Sequence, residues 1–127
     1  MNCTKELNKI FINGTKNEMK ILVLPEVQQY LESLKTILFE LEYFGFEETA
    51  QKYVDDLFLD IKTNLPTCLH KPAPKFFNKY GMGMKYAVFR KSKNTRWYVF
   101  FTKHVIGDET LLLIRYIGNN HTIAQYI

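Results

Sequence analysis

The sequence has no acidic residue between positions 61 and 107, a stretch that carries ten lysines and arginines. Residues 20–60 show the opposite bias, with three lysines against nine acids. Proteins that need no anionic partner usually intersperse charges of both signs on their surface. This uneven distribution, in a chain of net charge +4, therefore favours a surface that binds a polyanion over a merely solvated one.

Cysteine is also scarce, since Cys3 and Cys68 lie far apart without the spacing of a Cys or His ligand motif. Their spacing argues against a disulfide scaffold and a structural zinc site. The basic half has no paired carboxylates, which a two-metal nuclease needs as ligands. Gly81-Met82-Gly83 is not followed by the Gly-Lys-Ser/Thr of a phosphate-binding loop. We therefore expect no metal and no organic cofactor.

Long apolar runs are missing as well. The charged N-terminus lacks the apolar core of a signal peptide, and nowhere do 18 apolar residues run together. We therefore expect a cytoplasmic protein that does not enter a membrane. The length of 127 residues, with 46% hydrophobic and 15% aromatic residues, is sufficient for one domain with its own core.

The apolar periodicity predicts a strand followed by two helices. An apolar run at residues 21–24 is stopped by Pro25, and a Pro-Glu pair suits the first turn of a helix. Gly45 can end that helix, and the short turn predicts an antiparallel helical hairpin. The apolar stripe of the first helix consists of Val27, Tyr30, Leu31, Leu34, Ile37, Leu38 and Leu41. The stripe of the second consists of Ala50, Tyr53, Val54, Leu57, Phe58 and Ile61.

The rest of the chain predicts strands. Prolines and glycines make residues 64–84 an irregular connection, after which come "MKYAVFR", "TRWYVFFTKHV" and "TLLLIRYI". Short loops between these runs predict a three-stranded antiparallel meander, and the nearly continuous apolar residues of the last run predict an interior strand. The expected fold is α+β: an N-terminal strand, an antiparallel helical hairpin, a three-stranded meander that completes one sheet, and a short C-terminal helix or tail.

A family resemblance rests on the order of short motifs. A strand runs into a Pro-Glu helix start in "MKILVLPEVQQYLESL", and a second helix precedes the basic meander. Arg90 lies near the end of the first meander strand, Arg96 opens the next, and Gly118 follows the last in "LLLIRYIGNNHTIAQYI". In this order the chain resembles the RelE/ParE superfamily of bacterial toxins, including its HigB-like and phage-derived members.

The resemblance covers residues 19–127 as a single toxin domain and leaves residues 1–18 as an N-terminal extension, so Met1 and Met19 are both candidate starts. It implies the toxin of a bacterial type II toxin–antitoxin system. An antitoxin would cover the cationic sheet with an acidic, amphipathic segment. RelE-like members cut mRNA on the ribosome, which implies a metal-independent endoribonuclease.

The same resemblance implies three candidate catalytic residues, and His121 is a fourth candidate because it follows Asn120 in the chain. Arg96 would bind the phosphate, with Arg90 as a second cation. RelE-like nucleases carry a basic residue two positions after the glycine and a tyrosine eight positions after it. Tyr126 matches the tyrosine, whereas Asn120 replaces the basic residue, and the adjacent His121 offers a general acid or base.

Each of these residues also has a structural interpretation. Arg96 could point to solvent or pair with an acid of the helices, His121 could cap a turn, and Tyr126 could pack on the sheet. Further nucleic-acid contacts are expected from Lys85, Lys91, Lys93, Lys103 and Asn120. Candidates for base stacking, which are equally candidates for the core, are Trp97, Tyr98 and Phe100.

Two other functions remain open. ParE-like members bind DNA gyrase without cutting nucleic acid, and a small basic nucleic-acid-binding module or inactive toxin remnant would have the same charge pattern. Convergence of Arg96, His121 and Tyr126 on one pocket would favour RNA cleavage. Dispersed side chains would favour binding alone.

Overall fold

A computed structural model describes residues 19–40 and 47–127. The predicted turn at Gly45, together with Leu41 and Cys3, lies outside these residues. The first elements are β1 (Met19–Val23), α1 (Pro25–Glu40), α2 (Glu47–Asn64), β2 (Lys71–Pro72) and the 3-10 helix η1 (Lys75–Tyr80). They are followed by β3 (Lys85–Arg90), β4 (Arg96–Ile106), β5 (Glu109–Asn119), α3 (Asn120–Ile123) and the 3-10 helix η2 (Ala124–Tyr126).

The five strands form one sheet in the order β1-β5-β4-β3-β2. β1 pairs with β5 in parallel, and the other neighbours are antiparallel. The α+β class predicted from the sequence is confirmed. The sheet has one strand more than expected, because two residues of the connection predicted to be irregular pair with the start of β3. β5 lies inside the sheet, as its apolar sequence predicts.

One face of the sheet packs against α1 and α2. The buried residues of α1 recur every three or four positions, at Val27, Leu31, Leu34 and Leu38, and meet the stripe of α2 and the inward side chains of β4 and β5. Ile37 is 41% exposed, contrary to the prediction, because it lies at the border of the stripe, about 90° from the centre of the buried residues at 100° per residue.

The opposite face of the sheet is also covered. Phe77 of η1 is completely buried and stacks on Phe100 of β4, with ring centroids 4.3 Å apart. This second layer is formed by Phe77, Met84, Tyr86, Tyr98, Phe100 and Ile123. We call it the aromatic layer. The alternation predicted for β4 is confirmed, but neither set of its aromatic side chains is left open for stacking with bases.

The helices of the described segments include none that is both long and apolar enough to cross a membrane.

Candidate functional site

The turn between β3 and β4 brings two arginines together. The turn is closed by hydrogen bonds from the Lys91 and Ser92 amides to the Thr95 carbonyl oxygen, at 3.0 and 3.3 Å. As a result, Arg90 at the end of β3 lies directly opposite Arg96 at the start of β4. Side chains opposite each other in an antiparallel pair have Cβ atoms about 4.5–5.5 Å apart.

The two arginines lie on the face of the sheet that carries the aromatic layer. Arg90 alternates with Val88 and Arg96 with Tyr98, both of which contact that layer. Like charges directly opposite each other destabilise a sheet unless an anion neutralises them. In the described parts of the chain, Arg96 forms no ion pair with an acid of the helices.

The guanidinium group of Arg90 is anchored to the turn. Its Nε donates to the Ser92 carbonyl oxygen at 3.2 Å, and its Nη2 donates to the Lys93 carbonyl oxygen at 3.3 Å. Arg96 is partly buried and is held through its backbone instead. Its amide donates to the side-chain oxygen of Asn120 at 2.8 Å. These hydrogen bonds therefore hold the guanidinium group of Arg90 and the backbone of Arg96 in place.

Asn120, a candidate for phosphate contact, uses both ends of its amide within the protein. Besides accepting from Arg96, it donates from Nδ2 to the Asn94 carbonyl oxygen at 3.1 Å. It thereby ties the start of α3 to the β3–β4 turn. The preceding Asn119 caps α3, since its Oδ1 accepts from the amides of His121 and Thr122 at 2.9 and 3.2 Å.

His121 lies in a small cleft on the helix side of the sheet. Its Nε2 is 3.2 Å from the Thr95 hydroxyl oxygen, and the cleft, of about 190 Å³, is also lined by Tyr53 and Trp97. The Trp97 indole N–H donates to the Tyr53 hydroxyl at 3.0 Å. Burial raises the pKa of Tyr53 above its ordinary value, although the hydrogen bond from Trp97 opposes this shift. His121 therefore faces hydroxyl groups.

Tyr126 belongs to another group of contacts. Its ring stacks on that of Phe76 in η1, with centroids 3.6 Å apart and planes 3° apart. The Lys79 ammonium lies 4.2 Å from the Phe76 centroid. Tyr126 therefore lies on the same side of the sheet as Arg96, where its ring is also 6.5 Å from that of Phe77 in the aromatic layer. His121 lies in the cleft on the helix side.

The four candidate lysines separate into two pairs. Lys91 and Lys93 lie in the turn beside the arginines. Lys91 also lies near α2, 5.3 Å from the Tyr53 ring centroid. Its charge helps to hold the pKa of the Asp56 carboxyl below the ordinary value, an effect that comes mainly from the hydrogen bond with Lys52.

Lys85 and Lys103 are exposed and lie away from this turn. Lys85 is at the opposite end of β3, where it pairs with Phe101. Lys103 is seven positions along β4 from Arg96, or roughly 23 Å at the usual rise per residue. The local cationic site consists of Arg90, Lys91, Lys93 and Arg96, and we call it the strand-end site.

Two residues with potentially functional side chains, Thr95 and Arg115, were not selected from the sequence. Thr95 positions the His121 ring, but a threonine in a turn gives no signal of that role. Arg115 is the one charged residue within the apolar run "LLLIRYI" of β5, and this interruption is the signal that could have identified it. In the described residues, no group of three or more His, Cys, Asp or Glu side chains is placed to hold a metal ion.

No protein-family model, curated protein or solved structure matches this chain.

Proposed function

We propose that this protein is a toxin of the RelE/ParE kind and that its strand-end site binds the phosphates of RNA on the ribosome. The observation that carries the proposal is the pair of arginines at directly opposed positions of β3 and β4, beside two lysines of the turn that joins these strands. The order of the elements is consistent with it: a strand entering a Pro-Glu helix, a second helix, and a basic set of antiparallel strands.

Arginine suits this task because it stays charged and can offer two parallel N–H donors to one phosphate. In cleavage, a bond forms between the ribose 2′-oxygen and phosphorus while the bond to the 5′-oxygen breaks. One proton leaves the 2′-hydroxyl, and one reaches the departing 5′-oxygen. Arg96 would stabilise the added negative charge on the phosphorus oxygens.

His121 is the candidate for moving one of these protons, since an imidazole can act as an acid or a base near neutral pH. It lines the cleft on the helix side, whereas alternation directs Arg96 to the other face. The phosphate would therefore have to bind at the end of the strands, where the two faces meet beside the β3–β4 turn.

The second candidate function is binding without cleavage, to DNA gyrase or to nucleic acid. The dispersal of Arg96, His121 and Tyr126 favours it, as does Asn120, whose amide is occupied within the protein where RelE-like nucleases carry a basic residue. For either function, we propose an antitoxin partner with an acidic, amphipathic segment, which the ten cations and no acids of residues 61–107 would attract.

Inducible expression followed by mapping of mRNA 5′ ends tests the proposal. We expect growth arrest and new cut sites with the wild-type chain, and loss of the cut sites with Arg96→Ala. Lys71→Ala, which removes an exposed cation of β2, is the matched control and should cut normally.

Each pattern of results has a separate meaning. Loss of cutting in His121→Ala as well would identify His121 as the proton-transfer group, and normal cutting would exclude it. Growth arrest without new cut sites would support the non-cleaving candidate. If the wild-type chain neither arrests growth nor cuts mRNA, the toxin proposal is wrong.

A further inference from the structure

A second and larger cavity opens beside β5, at the point where its pairing with β1 ends. The register joins Val23 to Ile114, and the chain then leaves β1 to enter α1. β5 continues to Asn119. The space left beside it, of about 710 Å³, is bordered by the first turns of α1, the end of η1 and Thr122, and it is partly open to solvent. Cavities of this size commonly hold small molecules.

An irregularity in β5 gives this cavity its charge. Phe100 pairs with Tyr116, whereas the next residue of β4, Phe101, pairs with Ile114, so Arg115 has no opposite partner. This β-bulge directs Arg115 and Tyr116 to the same face of the sheet, although neighbouring residues of a strand normally point to opposite faces. Both side chains line the cavity.

The Arg115 side chain is held at two points. Its Nε donates to the Thr102 hydroxyl at 3.0 Å, and its stem lies against Gly81. A Cβ atom at Gly81 would be only 2.6 Å from the Cδ of Arg115. The terminal nitrogens Nη1 and Nη2 have no hydrogen-bond or ion-pair partner in the described residues. A fixed guanidinium with unused donors is a suitable anchor for an anion.

The remaining polar groups of the cavity are charged side chains and hydroxyl groups. Lys79 supplies a second cation, and Glu26 is the single acid in the lining. The rings of Tyr80 and Tyr116 stack with centroids 4.1 Å apart. Burial, together with the neighbouring Tyr80, raises the pKa of Tyr116 to about 12. The remaining wall is largely apolar, with Leu24, Val27 and Ile117.

We propose that this cavity binds a small organic acid, in which a carboxylate or a phosphate ester pairs with Arg115 and Lys79. The apolar or aromatic body of the ligand packs against Leu24, Val27 and Ile117. The apolar wall is what makes an inorganic anion alone an incomplete ligand. Binding at this cavity does not depend on the toxin function, because none of the residues of the strand-end site lines it.

The test is a titration of the full chain with matched probes, followed by ¹H–¹⁵N NMR. Phenyl phosphate and phenylacetate share a ring with phenylacetamide, which is neutral. We expect both acids to shift the resonances of Arg115, Tyr116 and Gly118, and phenylacetamide to bind at least about tenfold more weakly, since one charge-assisted hydrogen bond contributes that much. The preferred acid distinguishes a phosphate ligand from a carboxylate ligand.

Two variants test the anchor. Arg115→Met keeps the length of the side chain but removes its charge, and should weaken binding of the acids roughly 10–100-fold. Gly81→Ala keeps the charge but displaces the Arg115 stem, and should weaken binding as well. Lys71→Met, on the exposed strand β2, is the control and should bind normally.

Three results would overturn the proposal: equal binding of phenylacetamide and the acids, shifts confined to residues outside the cavity, or unchanged affinity in both Arg115→Met and Gly81→Ala. Should Arg115→Met fail to fold, as judged from its spectrum, Gly81→Ala and Arg115→Lys decide the question. Arg115→Lys keeps the charge but loses the forked donors, so it should bind more weakly than the wild-type chain.

Discussion

The two faces of the sheet are covered by different kinds of structure. On one face, two helices of 16 and 18 residues supply regularly spaced aliphatic side chains. On the other, a 3-10 helix of six residues and the short α3 hold the aromatic layer. The apolar residues of the two helices recur at a regular spacing in the sequence. The cover formed by the 3-10 helix and α3 depends instead on a few large aromatic rings, and we call it the thin cover. A thin cover can therefore complete a core when its side chains are large enough.

The largest expected effect comes from removing the anchor of the thin cover. Phe77→Ala should lower the free energy of unfolding by about 3–5 kcal/mol, because the ring is 0% exposed and leaves a cavity. Leu57→Ala, equally buried on the helix-covered face, should cost about 2–5 kcal/mol. Urea unfolding followed by the fluorescence of Trp97, the single tryptophan, measures both.

Phe76→Ala is the matched control within η1. Its ring is 39% exposed, so the cost should be about 1 kcal/mol or less. Similar costs for Phe76→Ala and Phe77→Ala would show that the aromatic layer does not pack tightly in solution, and the comparison of the two faces would then fail.

The next largest effect is a dependence of stability on pH, and it arises from Tyr116, which packs against the aromatic layer. Because the pKa of Tyr116 is raised from 10.0 to about 12, the folded state retains its phenol proton longer than the unfolded state. The stabilisation is complete below pH 10 and is lost as the pH rises towards 12. After allowance for partial solvent exposure, the loss should be roughly 1–2 kcal/mol.

Tyr116→Phe should therefore flatten the decline of stability between pH 10 and 12. It should not abolish it, because burial also raises the pKa of Tyr30, Tyr53 and Tyr86. Urea unfolding at a series of alkaline pH values checks this. An unchanged slope in Tyr116→Phe would mean that this phenol is not buried against Tyr80.

A smaller loss of stability is expected from removing the hydrogen bonds of Asn120, beside the β3–β4 turn. Asn120→Ala removes the hydrogen bonds to the Arg96 amide and the Asn94 carbonyl, and should cost about 1 kcal/mol. Asn120→Asp keeps the acceptor for Arg96 and should lose less. NMR of the Arg96 amide distinguishes the two variants, and equal shifts in both would contradict the assigned pairing.

The smallest effect concerns the solvent side of α2. Lys52 and Asp56 form an exposed ion pair at 2.9 Å, and such pairs contribute little in water. Lys52→Ala should leave the unfolding midpoint within experimental error. A clear loss of stability would show that Asp56 matters for holding Lys91, whose charge also acts on its carboxyl.

The predictable part of the fold is the part that follows a period. The stripes of α1 and α2 could be inferred because helical spacing collects Val27, Leu31, Leu34 and Leu38 on one side. The alternation of β4 was predictable for the same reason. The six residues of η1 follow prolines and show no such repeat, so neither their helical turn nor the burial of Phe77 could be inferred.

The candidate site shows the same division. Arg90 and Arg96 could be selected from the sequence, and the short turn between two strands predicts that they lie near each other. The separation of His121 from Arg96 depends on which face each residue takes after the strand ends, which chain order does not determine. From the sequence, Asn120 was interpreted as the loss of a basic residue. In the structure its side-chain amide instead forms hydrogen bonds to Arg96 and Asn94, which are 24 and 26 residues away in sequence.

The bulge at Arg115 divides β5 into two halves of opposite parity. Before it, the even-numbered residues Leu112 and Ile114 face the helices; after it, the odd-numbered Ile117 does so. Deletion of Arg115 would restore a single parity along the strand and leave both halves facing as they do now, whereas regular pairing with Arg115 retained would turn one half of β5 inside out. The run "LLLIRYI" therefore contains two alternating patterns that differ in phase by one residue, and Arg115 is the extra residue between them.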